Sequence, residues 1–161
     1  MEVEMKIRGL MVDPVTNMPI VVLKDVSGTA ILPIWVGIYE ANAIALEIEK
    51  VATPRPMTHD LIRNLLFGLE TGVKKVVVSD LKEDTFYAMI WLEKDGEMIS
   101  VDSRPSDALA LALRTDCPIY VEEQVIRTSK ATSSVSDKVT NDELKKWLES
   151  LNDEDLGRYK M

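Results

Sequence analysis

Three short stretches carry side chains suited to acid–base, metal or phosphate chemistry. In VDSRPSDALALALR, residues 101–114, Asp102, Arg104 and Asp107 surround a proline and run into an alanine–leucine segment. In RPMTHDL, residues 55–61, Arg55, His59 and Asp60 place a guanidinium, an imidazole and a carboxylate within six residues. In IYEANAIAL, Glu40 stands just ahead of another alanine-rich run. Histidine is the usual general base near neutral pH, and paired carboxylates with arginine suit a cation or a phosphate.

Each of these residues also has a plainer use. Pro105 suits a first helical turn, Ser103 could cap it, and Asp107 there gains about 0.3–1 kcal/mol from the macrodipole. Glu40 has the same alternative. Helix initiation does not account for Arg104, a cation at the positive end of a helix. Nor does it account for Asp102, an acid ending an apolar strand. His59, the single histidine, stands at a helix start, where a lone histidine is more often a surface or capping residue than a ligand, although Arg55 and Asp60 lie beside it in sequence. Both readings stay open on these residues.

The elements that would position these groups can be read from periodicity. Residues 3–12 read as a strand, followed by the turn-rich DPVTNMP. IVVLKD and TAILPIWV around Ser27-Gly28 form a hairpin signature. Ile38, Ala41, Ala45 and Ile48 recur at helical spacing, and TPRP ends that helix. Thr58 is a plausible N-cap for a helix from His59 to about Glu70, closed by Gly72. KKVVVSDL, TFYAMIWLE and EMISVD follow as strands, the last two around the Asp95-Gly96 turn. FYAMIWL is apolar at both alternating positions, which predicts cover on both faces of the sheet.

The order is three strands and a helix, a joining helix, then three strands and a helix. A shift of about 67 positions lays Glu40–Leu46 on Asp107–Leu113, which suggests an internal repeat. A repeat related by a pseudo-twofold would bring Glu40 and Asp107 together. The fold class expected is α+β: one domain of two similar β-β-β-α halves over residues 1–128, its sheet covered by helices. Residues 129–139 have Ser/Thr-rich linker composition. Residues 140–161 carry a short helix with Leu144, Trp147, Leu148 and Leu151 as its apolar stripe.

With 161 residues and 46% hydrophobic content, the chain can bury a real core. The start shows no secretory pattern and no run reaches the length of a membrane span, so a cytoplasmic protein without membrane association is expected. The lone Cys117 reads as inert packing. A net charge of −8 argues against a broad electrostatic grip on nucleic acid, though not against a local site. The P-loop, the dinucleotide fingerprint, paired zinc cysteines and the standard hydrolase motifs are all absent, so no nucleotide cofactor is expected. The apolar tail stripe and the sheet edges favour a homo-oligomer.

LKDVSGTAILPIWVGIYEANAIA, RPMTHDL and VDSRPSDALALALR, in this order and spacing, resemble the bifunctional nuclease family from about residue 3 to 128. The tail resembles the C-terminal extension of bacterial members. The resemblance implies an α+β fold and hydrolysis of RNA and DNA. By motif, Glu40 matches the acid after the LPIWVG strand, His59 and Asp60 the THDL pair, and Arg104 and Asp107 the RPSDA positions. The expected enzyme is a metal-assisted nuclease, with His59, Asp107 and Glu40 catalytic and Arg104 and Arg55 holding substrate phosphate. Asp102, Asp107, Asp60 and Glu40 would ligate Mg²⁺ or Mn²⁺. The alternative is a non-catalytic module binding an anion or a protein at the same cluster.

Overall fold

The computed structural model describes residues 1–136. Seven strands form one mixed sheet: β1 (Glu2–Val12), β2 (Pro19–Asp25), β3 (Ile31–Trp35), β4 (Gly72–Lys82), β5 (Thr85–Lys94), β6 (Glu97–Ser103) and β7 (Ile119–Glu122). Four helices accompany them: α1 (Ile38–Ile48), α2 (Thr58–Gly68), α3 (Pro105–Thr115) and α4 (Glu123–Ser136). The sheet order is β3-β2-β1-β7-β4-β5-β6. Two antiparallel three-stranded groups therefore meet at β7, antiparallel to β1 and parallel to β4. The fold is α+β in a single sheet.

Strand alternation sets the core face. Val21, Leu23, Leu32, Ile34, Val76 and Val78 point to one side and are buried against α1 and α3. Those helices contribute Ala41, Ile44 and Ala45, and Ala108, Leu109, Ala110 and Ala112. Small residues let helices approach closely, so the alanines that repeat between the two helices serve as their packing surfaces on the sheet and on each other. Leu109 is fully buried, and its replacement by Ala would cost about 2–5 kcal/mol through lost transfer energy and a cavity.

Several expectations change. Cover on both faces fails at the β5–β6 end, where Tyr87, Met98, Ile99 and Val101 are exposed. The helix packing reaches as far as β5 through α3. On the face away from α1 and α3, Lys75 lies over the rings of Trp91 and Tyr120 and pairs with Glu2 at 2.9 Å. Thr58 is the first residue of α2 rather than its cap, because the Asp60 carboxylate takes the Met57 N–H at 2.9 Å. Glu70 at φ 55°, not Gly72, closes that helix, and Gly72 opens β4. The start of the Ser/Thr-rich stretch continues α4 to Ser136. The expected tail helix at 140–150 lies outside the described residues. Among the described residues no helix is long and apolar enough to cross a membrane.

Candidate active site

Three helix N-termini converge. α1 begins after Gly37 and carries Glu40 in its first turn; α2 carries His59 in its first turn; α3 has Pro105 at its start and Asp107 in its first turn. The contact between α1 and α3, and between α2 and α3, holds these turns beside one another.

Asp107 is the hub. Its Oδ1 lies 2.8 Å from His59 Nε2, and its Oδ2 accepts from Arg104 Nε at 2.9 Å. Arg104 Nη2 is also 2.9 Å from that oxygen, and Nη1 donates to Glu40 Oε1 at 3.0 Å. Both Asp107 oxygens are thus engaged by side chains from other positions, and neither caps a helix N–H. Ser103 does not cap either: its hydroxyl donates to the Arg104 carbonyl at 2.8 Å. Arg104 itself is the extended residue ahead of α3, with φ −72° and ψ 145°, which sends its side chain out toward α1. Helix initiation therefore accounts for Pro105 but leaves Asp107, Arg104 and Glu40 to other work.

Gly37 shapes this corner. A Cβ there would run into the Glu40 carboxylate, so the bare backbone lets Glu40 fold back toward Arg104. The hydrogen bonds and charge of Asp107, then those of Glu40, raise the Arg104 pKa above its ordinary value. Three of the about five N–H donors of a guanidinium are used here, leaving two for a ligand. The side chain is 66% exposed, so those donors reach solvent. His59 is nearly buried, its side chain 10% exposed, and one ring nitrogen is bound to Asp107. Among the described residues no hydrogen bond to Nδ1 is present.

These groups line a cleft of about 970 Å³ floored by the β5–β6 edge, with Phe86, Ile90 and Val101 on its apolar wall. Tyr39 and Asn42, from α1, also line it. Neither stood out in the sequence, because a tyrosine or an asparagine on an amphipathic helix is ordinary surface; only their nearness to Glu40 could have marked them.

The other expected residues lie apart from this hub. Asp60 is bound by Arg114 Nε at 2.8 Å, and Arg114 also donates to the Ala110 and Ala43 carbonyls at 2.9 Å. The Arg114 side chain is 2% exposed, so this pair ties the three helices together beneath the cleft. Burial opposes ionisation of Asp60, but the Met57 N–H, the Arg114 bond and charge and Arg63 outweigh it and hold its pKa below the ordinary value. Asp102 pairs with Met89, whereas Val101 and Ser103 pair with Ile90 and Ala88. Asp102 lies along the cleft lining, but alternation turns its side chain to the face away from α1 and α3. Arg55 is exposed and does not line the cleft. Cys117 is part-buried, and burial pushes its thiol pKa up.

A divalent ion with several protein ligands does not fit the donors as they stand. Among the described residues no three His, Cys, Asp or Glu side chains gather to hold one. The space between the Glu40 and Asp107 carboxylates is taken by the Arg104 guanidinium.

Comparison with known proteins adds a lineage. The bifunctional nuclease domain family matches residues 21–134. An uncharacterized protein of Mycobacterium tuberculosis (strain ATCC 25618 / H37Rv) is 41% identical over 154 residues, which are 92% of each chain. Bifunctional nuclease 1 of Arabidopsis thaliana is 30% identical over 109 residues, 65% of this chain and 34% of that protein. Bifunctional nuclease 1 of Oryza sativa subsp. japonica is 28% identical over 109 residues, 65% of this chain and 33% of that protein. The shared region is thus about a third of each plant protein.

Proposed function

The chain belongs to the bifunctional nuclease domain family, and from that premise we propose that it cleaves the phosphodiester backbone of nucleic acid in the cleft at the three helix N-termini. The observation that carries the reading is the chain of contacts from His59 through Asp107 and Arg104 to Glu40. A histidine oriented by a carboxylate can act as a general base, with the second ring nitrogen taking the proton. Arg104 presents its two remaining donors to the phosphate, where a planar fork matches the oxygens bidentately. Asp107 fixes both partners in position, and Glu40 holds the far side of the guanidinium.

This arrangement also answers the problem of charge. An acidic protein repels a polyanion at long range, so affinity must come from a few short contacts rather than a basic surface. Unpaired N–H groups at helix N-termini favour an anion beside Arg104. Nucleic acid is therefore the proposed partner and a small local site the proposed grip.

The experiment is cleavage of end-labelled RNA and DNA by the full-length protein, with and without EDTA, beside Asp107→Asn and His59→Gln. Cleavage that falls at least a hundredfold in both folded variants is the expected result. Binding of oligonucleotide without turnover, equal in all three proteins, would replace the enzyme with an anion-binding module.

A further inference from the structure

We infer that a second copy of this chain docks along β6, the two β6 strands pairing antiparallel about Ser100 so that one sheet runs through both copies. Among the described residues no strand pairs with the outer side of β6, and β3 stands at the opposite end of the sheet. The two edges are built differently. β3 is five residues long and carries Pro33, and both features blunt an edge against further pairing. β6 is EMISVDS, without proline or lysine, and it pairs with β5 over seven successive residues with no bulge. Such an edge is a template for another strand.

The strand is complementary to itself. Ser100 is the middle residue of Glu97–Ser103, so a twofold through it keeps the whole strand paired. Ile99 then faces the second copy's Val101, Met98 faces Asp102, and Glu97 faces Ser103. β-branched neighbours directly opposite one another stabilise a ladder and like charges weaken it; this register sets no acid against an acid. Val101 pairs with Ile90 within the chain, and both line the cleft. The second copy's Ile99 therefore extends the apolar floor of the cleft, and each copy completes the site of the other.

The helix across the cleft offers a second apolar surface. Leu61, Leu65 and Leu69 recur every four residues along α2 to its C-cap, and each is more than half exposed. Leu65 and Leu69 stand three and seven residues from Ile62, which lines the cleft with Val101, so their stripe faces the same opening. Gly68 has open space where a side chain would stand and admits a close approach. The exposed parts of the three leucines with Met98, Ile99 and Val101 come to on the order of 600 Å², most of the roughly 800 Å² that each partner gives to a standard interface. The backbone of the paired strands adds to that area.

Sedimentation velocity of the full-length protein should give a dimer of twice 18.1 kDa. Ile99→Lys, at an exposed position, should keep the circular dichroism spectrum and weaken association by about a hundredfold or more, because the ammonium would be set against Val101 away from water. In a Cys117→Ala background, oxidation of Ser100→Cys should join two copies covalently, since residues directly opposite lie about 4.5–5.5 Å apart at Cα, within disulfide range. Met98→Cys should not cross-link, because its two copies stand four residues apart along the strand, more than about 13 Å. A monomer at every concentration, a dimer that survives Ile99→Lys, or cross-linking of Met98→Cys in preference to Ser100→Cys would overturn the proposal. A dimer lost on removing residues 137–161 but kept in Ile99→Lys would overturn it too, by placing the contact on the tail.

Discussion

Asp107 and Asp60 look alike in sequence, an acid in the first turn of a helix, yet their surroundings separate them. Asp107 faces the cleft and joins two groups, His59 and Arg104; Asp60 faces inward and closes a nearly sealed arginine. Asp107→Asn keeps the shape and the ability to accept from His59. The loss should be about 1 kcal/mol, the sum of a weakened macrodipole interaction and one exposed ion pair. A urea melt should therefore barely move while cleavage collapses. Asp60→Asn should do the reverse and destabilise by about 3 kcal/mol, the low end for breaking a buried pair, since Arg114 keeps two carbonyl partners. Its pH dependence has a definite sign. The Asp60 pKa is lower in the folded than in the unfolded chain, so its contribution is whole above the unfolded value of about 4 and fades as pH falls through the folded value. Stability profiles of the native and Asn proteins should thus converge toward pH 2 and diverge above pH 5.

Among the elements, the helices end in an unusual way. Lys50, Glu70 and Asp116 each take a left-handed conformation after α1, α2 and α3, with φ of 55°, 55° and 58°. After α2, Thr71 N–H reaches the Leu66 carbonyl at 2.9 Å, the closure normally made with glycine at the turning residue. Glu70→Gly should therefore stabilise by about 0.5–1 kcal/mol, read as a higher melting temperature with cleavage unchanged. With Glu70 rather than a glycine at the turning position, the sequence points to Gly72 as the end of α2. Six strands and three helices were legible because each has clear periodicity or a turn dipeptide. β7 was not: IYVE is four residues long, follows a proline and has no hairpin partner next to it in sequence. α4 was obscured by its Ser/Thr content, which reads as linker although Val125 and Ile126 anchor its first turn in the core. At the site, Glu40, His59, Arg104 and Asp107 could be nominated because they open helices. The inward role of Asp60 could not, since Arg114 lies 54 positions away, and Asp102 could not be assigned a face before its register with Met89 was known.

In the whole molecule, β7 joins what would otherwise be two meanders. It binds Glu2–Met5 on one side and Val76–Val78 on the other. The buried core runs from Met5 to Ile126. A chain stopped after Ser136 should therefore unfold cooperatively in denaturant, whereas one stopped after Cys117 should not, with circular dichroism reporting both.

That central strand also sets a schedule. β1 is made well before β7, yet Glu2 has Glu122 for its neighbour, so one edge of β1 stays bare until β7 has been synthesised. At about 5–20 residues per second the wait is several seconds or more. Such distant pairing raises contact order, and folding of the joined sheet should be slow compared with a helical protein of the same length. During translation the exposed edge of β1 is a docking strip for any other unfinished chain nearby. The acids and lysine that alternate along its beginning, Glu2, Glu4 and Lys6, supply the charge that discourages such pairing until β7 arrives.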